Sequence, residues 1–187
     1  GGMMSVFAMR ALGLPEPAAV ALAVAGAVAV GALVERLAIR PVTGRPAIDL
    51  VIITIGVSIL VRGLAMLVWG KDTFALPPFT GDTPIPFFGA ALMPQSLWVL
   101  SISLCLLAGL KYFFSATLTG KAMLACSFDP KAASLVGIGV RRMVLLSFMI
   151  SAFVGAVGGA ILAPLTMTSY DVGVLLGLKG FAACILG

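Results

Sequence analysis

The stretch MVLLSFMISAFVGAVGGAILAPL, from Met143 to Leu165, holds no charged residue along its whole length. A hydrocarbon core of ~30 Å is crossed by ~20 helical residues at ~1.5 Å each, so this run predicts a membrane-spanning helix. Towards the N-terminus three further runs meet the same requirement. They are Gln95 to Phe114, with Lys111 near its end, Leu50 to Trp69, broken by Arg62 alone, and Ala18 to Val34, which stops at Glu35-Arg36. Partial apolar segments flank the set: Gly1 to Leu12 reads as the outer end of a preceding helix, and Val172 to Gly187 as the start of a following one or as a re-entrant piece. The expected fold class is all-α, a polytopic transmembrane helix bundle with four complete spans and partial helices at both ends.

Composition excludes most soluble classes. Hydrophobic residues make up 61% of the 187, charged residues 10%, and the mean hydropathy is +1.18, far from the usual globular mix. The net charge of +5 reads as loops retained on the cytoplasmic side of a lipid bilayer rather than as a nucleic-acid surface. With no histidine and seven scattered acids, the sequence offers no catalytic residues and no metal ligands. Cys105, Cys126 and Cys184 are dispersed without CxxC spacing, so neither a disulfide framework nor a metal site follows.

Basic residues orient the spans. Arg36, Arg40 and Arg45 lie between Glu35 and Asp49, and Lys111, Lys121, Lys131, Arg141 and Arg142 between Lys111 and Arg142, against Lys71 alone between Gly70 and Pro94. By the positive-inside rule the first two segments are cytoplasmic, and the chain enters the membrane from outside at Ala18 and emerges there again at Trp69 and near Pro164. The external segment carries Pro77, Pro78, Pro84, Pro86 and Pro94 around the turn signal Thr80-Gly81-Asp82-Thr83, which rules out helix. It reads as a compact hairpin or Ω-like cap held by Phe74, Phe79, Phe87 and Phe88, or as a docking surface for an outside partner. Trp69 and Trp98 bracket it as interfacial anchors.

Small residues recur every fourth position at Ala23, Ala27 and Gly31, at Ser101, Cys105 and Gly109, and at Ser147, Ser151, Gly155 and Gly159. Such stripes predict close helix packing, and Ser147 and Ser151 are also candidates to face a translocation path. The second span differs: Thr54, Ser58 and Arg62 fall at i, i+4 and i+8 and form one polar line. An arginine inside a span costs ~2.5 to 3.5 kcal/mol on insertion scales and so turns to protein or water. Two readings fit: the line lines a path, or Arg62 snorkels outward or pairs with a backbone carbonyl of a neighbouring helix. No Asp or Glu falls inside a complete span as bounded above, which argues against ion-coupled transport.

Taken in order, Thr54-Ile55-Gly56-Val57-Ser58-Ile59-Leu60, Trp69-Gly70, Thr119-Gly120-Lys121-Ala122-Met123, Asp129-Pro130-Lys131-Ala132-Ala133 with Gly137-Ile138, and Gly177-Leu178-Lys179-Gly180-Phe181 resemble the permease subunits of branched-chain amino acid ABC importers, the LivH type. The resemblance runs the length of the chain. It implies a bacterial inner-membrane subunit that pairs with a second, homologous permease, binds two cytoplasmic ATPase subunits and receives substrate from a periplasmic binding protein. It implies no cofactor on this chain, ATP being bound by the partner. Residues 1–187 would then be one transmembrane permease domain, truncated at both ends, with a cytoplasmic coupling segment at 115–142.

Within that segment Asp129 can cap a new helix with Pro130 at its first position, Ala132 and Ala133 leave an uncrowded face, and Gly137 ends the turn. The needs of a coupling helix are met by Gly120, Lys121, Asp129, Lys131, Ala132, Ala133 and Gly137, while an ordinary basic loop retained for topology accounts for the same charges. In many importers the corresponding motif is Glu-Ala-Ala-x-x-x-Gly, and Lys131 stands where the Glu would be. For the whole chain three functions fit: an importer permease for branched-chain or related amino acids, a passive channel for small polar solutes such as urea or amides, or a scaffold subunit without a path.

Overall fold

The computed structural model describes residues 2–12, 16–42, 47–70, 85–87, 90–166 and 172–186. All four predicted spans are present as long apolar helices, and the protein is a multi-pass transmembrane helix bundle. Helix α1 covers Gly2–Leu12 and α2 Glu16–Val34. The winding of α2 continues through a π turn at Glu35–Ile39 and a 3-10 turn at Arg40–Val42. Next come α3 (Ala47–Trp69), the strands β1 (Ile85–Phe87) and β2 (Ala90–Leu92), α4 (Pro94–Ala116), α5 (Leu118–Phe128), α6 (Pro130–Leu135), α7 (Val140–Thr166) and α8 (Val172–Leu186).

The first span extends beyond its expected end. Glu35 and Arg36 do not stop it, because both residue types are good helix formers; the winding persists to Val42, past Pro41, whose missing N–H opposes further propagation. Glu35 therefore falls inside the continuous helical run Pro17–Val42, beyond the expected boundary at Val34 and next to Arg36 and Arg40. Its side chain is 3% exposed, on the same i+4 face as Ala19, Ala23 and Gly31.

That face makes the main seam of the bundle, against α7. Ala19 and Ala23 are fully buried. At Gly31 an added Cβ would sit 2.6 Å from the Ala152 Cβ and 3.2 Å from the Phe148 carbonyl oxygen, so the two backbones meet because glycine lets them. On α7 the buried positions are Ala156, Ala160, Ile161 and Ala163. The expected stripe Ser147, Ser151, Gly155 and Gly159 is the neighbouring face: its first three members are exposed, and no atom would meet a Cβ on Gly155 within 4 Å. Ser101, Cys105 and Gly109 on α4 are likewise exposed. Of the three predicted stripes, the one on α2 packs as expected, and α7 meets it with alanines, whose methyl groups keep van der Waals contact that glycine and exposed serine would forgo.

Side-chain contacts define two poles. At one, Phe7 of α1 meets Trp69 at the end of α3, edge to face with centroids 6.3 Å apart, and Gln95 at the start of α4 donates from Nε2 to the Ile161 carbonyl of α7 at 3.0 Å. This lies one turn before Pro164, which removes an N–H from the α7 ladder. At the other pole the π turn packs against α3, and α5 against α4 and α7. The described part of the external segment is a hairpin pairing Ile85 with Leu92, Pro86 with Ala91 and Phe87 with Ala90. The turn Thr80 to Thr83, Lys71, Phe74, Pro77, Pro78, Phe79, Pro84 and Phe88 lie outside the described residues, as does Arg45. The apolar windows of α3 and α4 have no buried residue; surfaces of that kind belong in hydrocarbon or against further helices.

Candidate functional site

The basic pole is built by local chemistry. At Thr117 the chain leaves α4 in extended conformation (φ −94°, ψ 143°). The Thr117 hydroxyl donates to the Phe113 carbonyl at 2.6 Å and accepts from the Gly120 N–H at 3.0 Å, closing α4 and capping α5 with one group. Gly120 is buried in the bend: a Cβ there would collide with the Phe113 carbonyl and come 2.8 Å from the Phe114 Cα. With Met123 it seats α5, while Lys121 stays exposed.

Asp129 caps α6 as the sequence suggests, accepting from the N–H groups of Lys131 at 2.8 Å and Ala132 at 3.1 Å, with Pro130 in the first turn. Gly137 closes the helix at φ +87°. Its N–H bonds the Ser134 carbonyl at 3.1 Å, and the Ile138 N–H bonds the Ala133 carbonyl at 3.1 Å, the paired bonds of a Schellman motif. The two alanines do not share a face: Ala132 is exposed, whereas Ala133 is 5% exposed and packs inward. The open surface at this pole includes Phe128, Leu135 and Val136, which are 88%, 89% and 82% exposed, with exposed Lys131, Arg141 and Arg142 nearby in the chain. Sequence reasoning passed over these three apolar residues and Thr117, although the Thr117-x-x-Gly120 spacing already marks a capped helix start.

The membrane candidates lie on two helices. Arg62 is half-buried and its Nε donates to the Ser58 carbonyl of its own helix at 3.4 Å; Thr54 and Ser58 are exposed. Ser147 donates to the Met143 carbonyl at 3.0 Å, and it and Ser151 are exposed on α7. A groove of about 520 Å³ runs between α1, α2, α3, α7 and α8, with Met4, Val30, Val61, Trp69, Gly155 and Leu176 in its walls. None of Thr54, Ser58, Arg62, Ser147 and Ser151 lines it.

Four apolar spans among the described residues, with short capped helices collected at one basic pole, define a multi-pass membrane protein. The chain belongs to the family described as the permease component of branched-chain amino acid transport systems, whose model matches residues 1–187. It is 34% identical over 167 residues to the high-affinity branched-chain amino acid transport system permease protein LivH of Escherichia coli, across 85% of this chain and 53% of LivH. It is 27% identical over 192 residues to BraD of Pseudomonas aeruginosa, of the same description, across 99% of this chain and 62% of BraD. It is also 29% identical over 154 residues to the xylose/arabinose import permease protein XylH of Sulfolobus acidocaldarius, across 78% of this chain and 40% of XylH. The chain thus spans about half the length of the curated relatives it matches. No solved structure matches it.

Proposed function

We propose that this chain is the membrane-spanning permease part of an ATP-driven importer in a bacterial inner membrane, moving branched-chain or related amino acids delivered by a periplasmic binding protein. Family membership over residues 1–187 is the observation that carries the reading. In this reading ATP is hydrolysed by two cytoplasmic ATPase subunits and a second homologous permease completes the path. The α5–α6 segment is the coupling element: Gly120 and Ala133 seat it, Asp129 and Gly137 hold α6 rigid, and Lys121, Lys131 and Ala132 face the ATPase together with Phe128, Leu135 and Val136. The domain reading stays with it, residues 1–187 as one permease domain of a longer protein and 115–142 as its coupling segment.

Affinity purification of the full-length parent protein from its native membrane tests this. Recovery of ATPase subunits and a second permease is expected; a lone or self-associated protein would replace the importer by a passive channel. Thr54, Ser58, Arg62, Ser147 and Ser151 are assigned to the path with partners from the rest of the assembly. Arg62→Gln is expected to lower leucine uptake several-fold at unchanged expression, because the exchange keeps a hydrogen-bonding side chain but removes the charge. Unchanged uptake would take Arg62 out of the path.

A further inference from the structure

Glu35 places a carboxyl group in the packed inner end of the seam between α2 and α7. The residue is 3% exposed and opens the π turn against which α3 and α7 pack. Among the described residues no hydrogen bond or ion pair reaches its carboxylate. A buried carboxylate without a counter-charge is strongly disfavoured, and pairing relieves it. Its oxygens are still open to an arriving group: among the described residues, the partnerless polar side-chain atom that is closed to water is Trp69 Nε1. Single π turns within helices are frequent at functional sites.

The cation that shares this seam is Arg141. Gly31 meets Phe148 and Ala152 of α7, and Arg141 lies seven residues before Phe148 and eleven before Ala152. At ~100° per residue both spacings return to the same direction within ~20°, so Arg141 belongs to the face of α7 that packs on α2. On the positive-inside orientation α2 runs inward and α7 outward. Counted from the Gly31 contact, Glu35 is ~6 Å and Arg141 ~13 Å further towards the inner end, an offset of ~7 Å. Residues four apart on one helix, which pair readily, are offset by about as much. Arg141 is exposed. Its neighbour Arg142 is folded back on its own turn, with Cδ and Cγ 3.8 and 3.9 Å from where a Cβ on Gly139 would stand. Arg40 gives its backbone N–H to the Glu35 carbonyl and, like Arg36, has an exposed side chain. Helix α3 brings a further acid, Asp49, in its first turn.

We infer that Glu35 and Arg141 are the two halves of a latch, open in this structure and closed as an ion pair in a second state that fastens the inner ends of α2 and α7 together. Arg141 follows Gly137, the residue that closes α6, by four positions. The setting of α6 therefore decides whether the guanidinium points along the seam or into solvent. A planar, permanently charged guanidinium suits a carboxylate in a partly dry site better than an ammonium does. The latch is a property of the bundle and goes beyond the importer reading; only the transport arm of its test rests on that reading.

The test uses the full-length protein with its cysteines, Cys105, Cys126 and Cys184 included, replaced by alanine. Arg141→Cys is then modified with a cationic (2-aminoethyl) and an anionic (2-sulfonatoethyl) methanethiosulfonate. A carboxylate within a Debye length, ~10 Å at 0.1 M salt, favours the cationic reagent. Adding Glu35→Gln is expected to lower the cationic-to-anionic rate ratio at position 141 several-fold, and to leave the ratio at Arg142→Cys within about two-fold. In vesicles with the partner subunits, Glu35→Gln and Arg141→Gln are each expected to lower ATP-dependent uptake of L-leucine several-fold. The double variant should be no worse than either alone, because coupled partners are not additive. The exchange of Glu35→Arg with Arg141→Glu should recover most of the uptake. An unchanged rate ratio at position 141, or an equal change at Arg142→Cys, overturns the latch whether or not the protein transports. Multiplied losses in the double variant also overturn it, as does recovery on exchanging Glu35 with Arg40 or Arg45 and not with Arg141. Absence of leucine uptake by the unmodified transporter removes the importer reading and leaves the latch to stand or fall on the rate ratio.

Discussion

Gly120→Val is expected to abolish uptake, by more than ten-fold, while the protein still inserts into the membrane. The valine Cβ would stand against the Phe113 carbonyl and the Phe114 Cα, and backbone atoms do not move aside by a rotamer change. Relief requires α5 to swing away from α4, which breaks both bonds of the Thr117 hydroxyl. Loss of such a cap costs ~0.5–2 kcal/mol by itself, and Gly120 and Met123 lose their seat with it. The four spans are untouched, so membrane yield should hold. The check is paired: yield of inserted protein and uptake, together with ATPase activity in response to the substrate-loaded binding protein. Normal stimulation and uptake would show that the bend does not transmit to the rest of the protein.

Gly31→Leu is expected to act on the fold itself. The seam between α2 and α7 leaves no room at Gly31, with Ala152 and the Phe148 carbonyl already inside the contact distance of a Cβ. Overpacking commonly costs ~1–3 kcal/mol, and more where backbones must separate. The protein should be recovered at reduced yield and lose its structure at a lower temperature in detergent, read by circular dichroism. Gly155→Ala, on the adjacent face of α7 with nothing within 4 Å, is the matched control and should leave the melting temperature unchanged. Equal melting of Gly31→Leu and the control would mean that α2 and α7 are not in contact in the membrane.

The four spans were legible because one term governs them: in hydrocarbon the backbone must bond to itself, so apolar length predicts helix. Asp129-Pro130 and Gly137 were legible because capping is decided within a few residues. Faces were harder. On α7 the stripe Ser151, Gly155, Gly159 and the stripe Ala152, Ala156, Ala160 have the same period and differ by one residue, about 100° of rotation. Which of them packs is decided by the partner surface at Gly31, a matter of tertiary contact. The end of the first span was misplaced because charge was taken as a stop, while the winding carries Glu35 into the seam. Ala133 turned inward for a related reason: on a helix as short as α6, neighbouring alanines point about 100° apart.

With both ends fastened, α6 cannot absorb a push by unwinding. Asp129 locks its first turn, the Schellman bonds lock its last, and the Ile138 N–H ties it to the residues that open α7. If the α5–α6 segment is the coupling element, a displacement applied at Leu135 would reach α7 as tilt. From Val140 to Gly155 is ~22 Å of helix, so a tilt of ~5° about the inner end moves Gly155 by ~2 Å, more than the radius of a methyl carbon. In that reading helix α7 would act as a lever hinged at the basic pole, its far arm forming a wall of the groove.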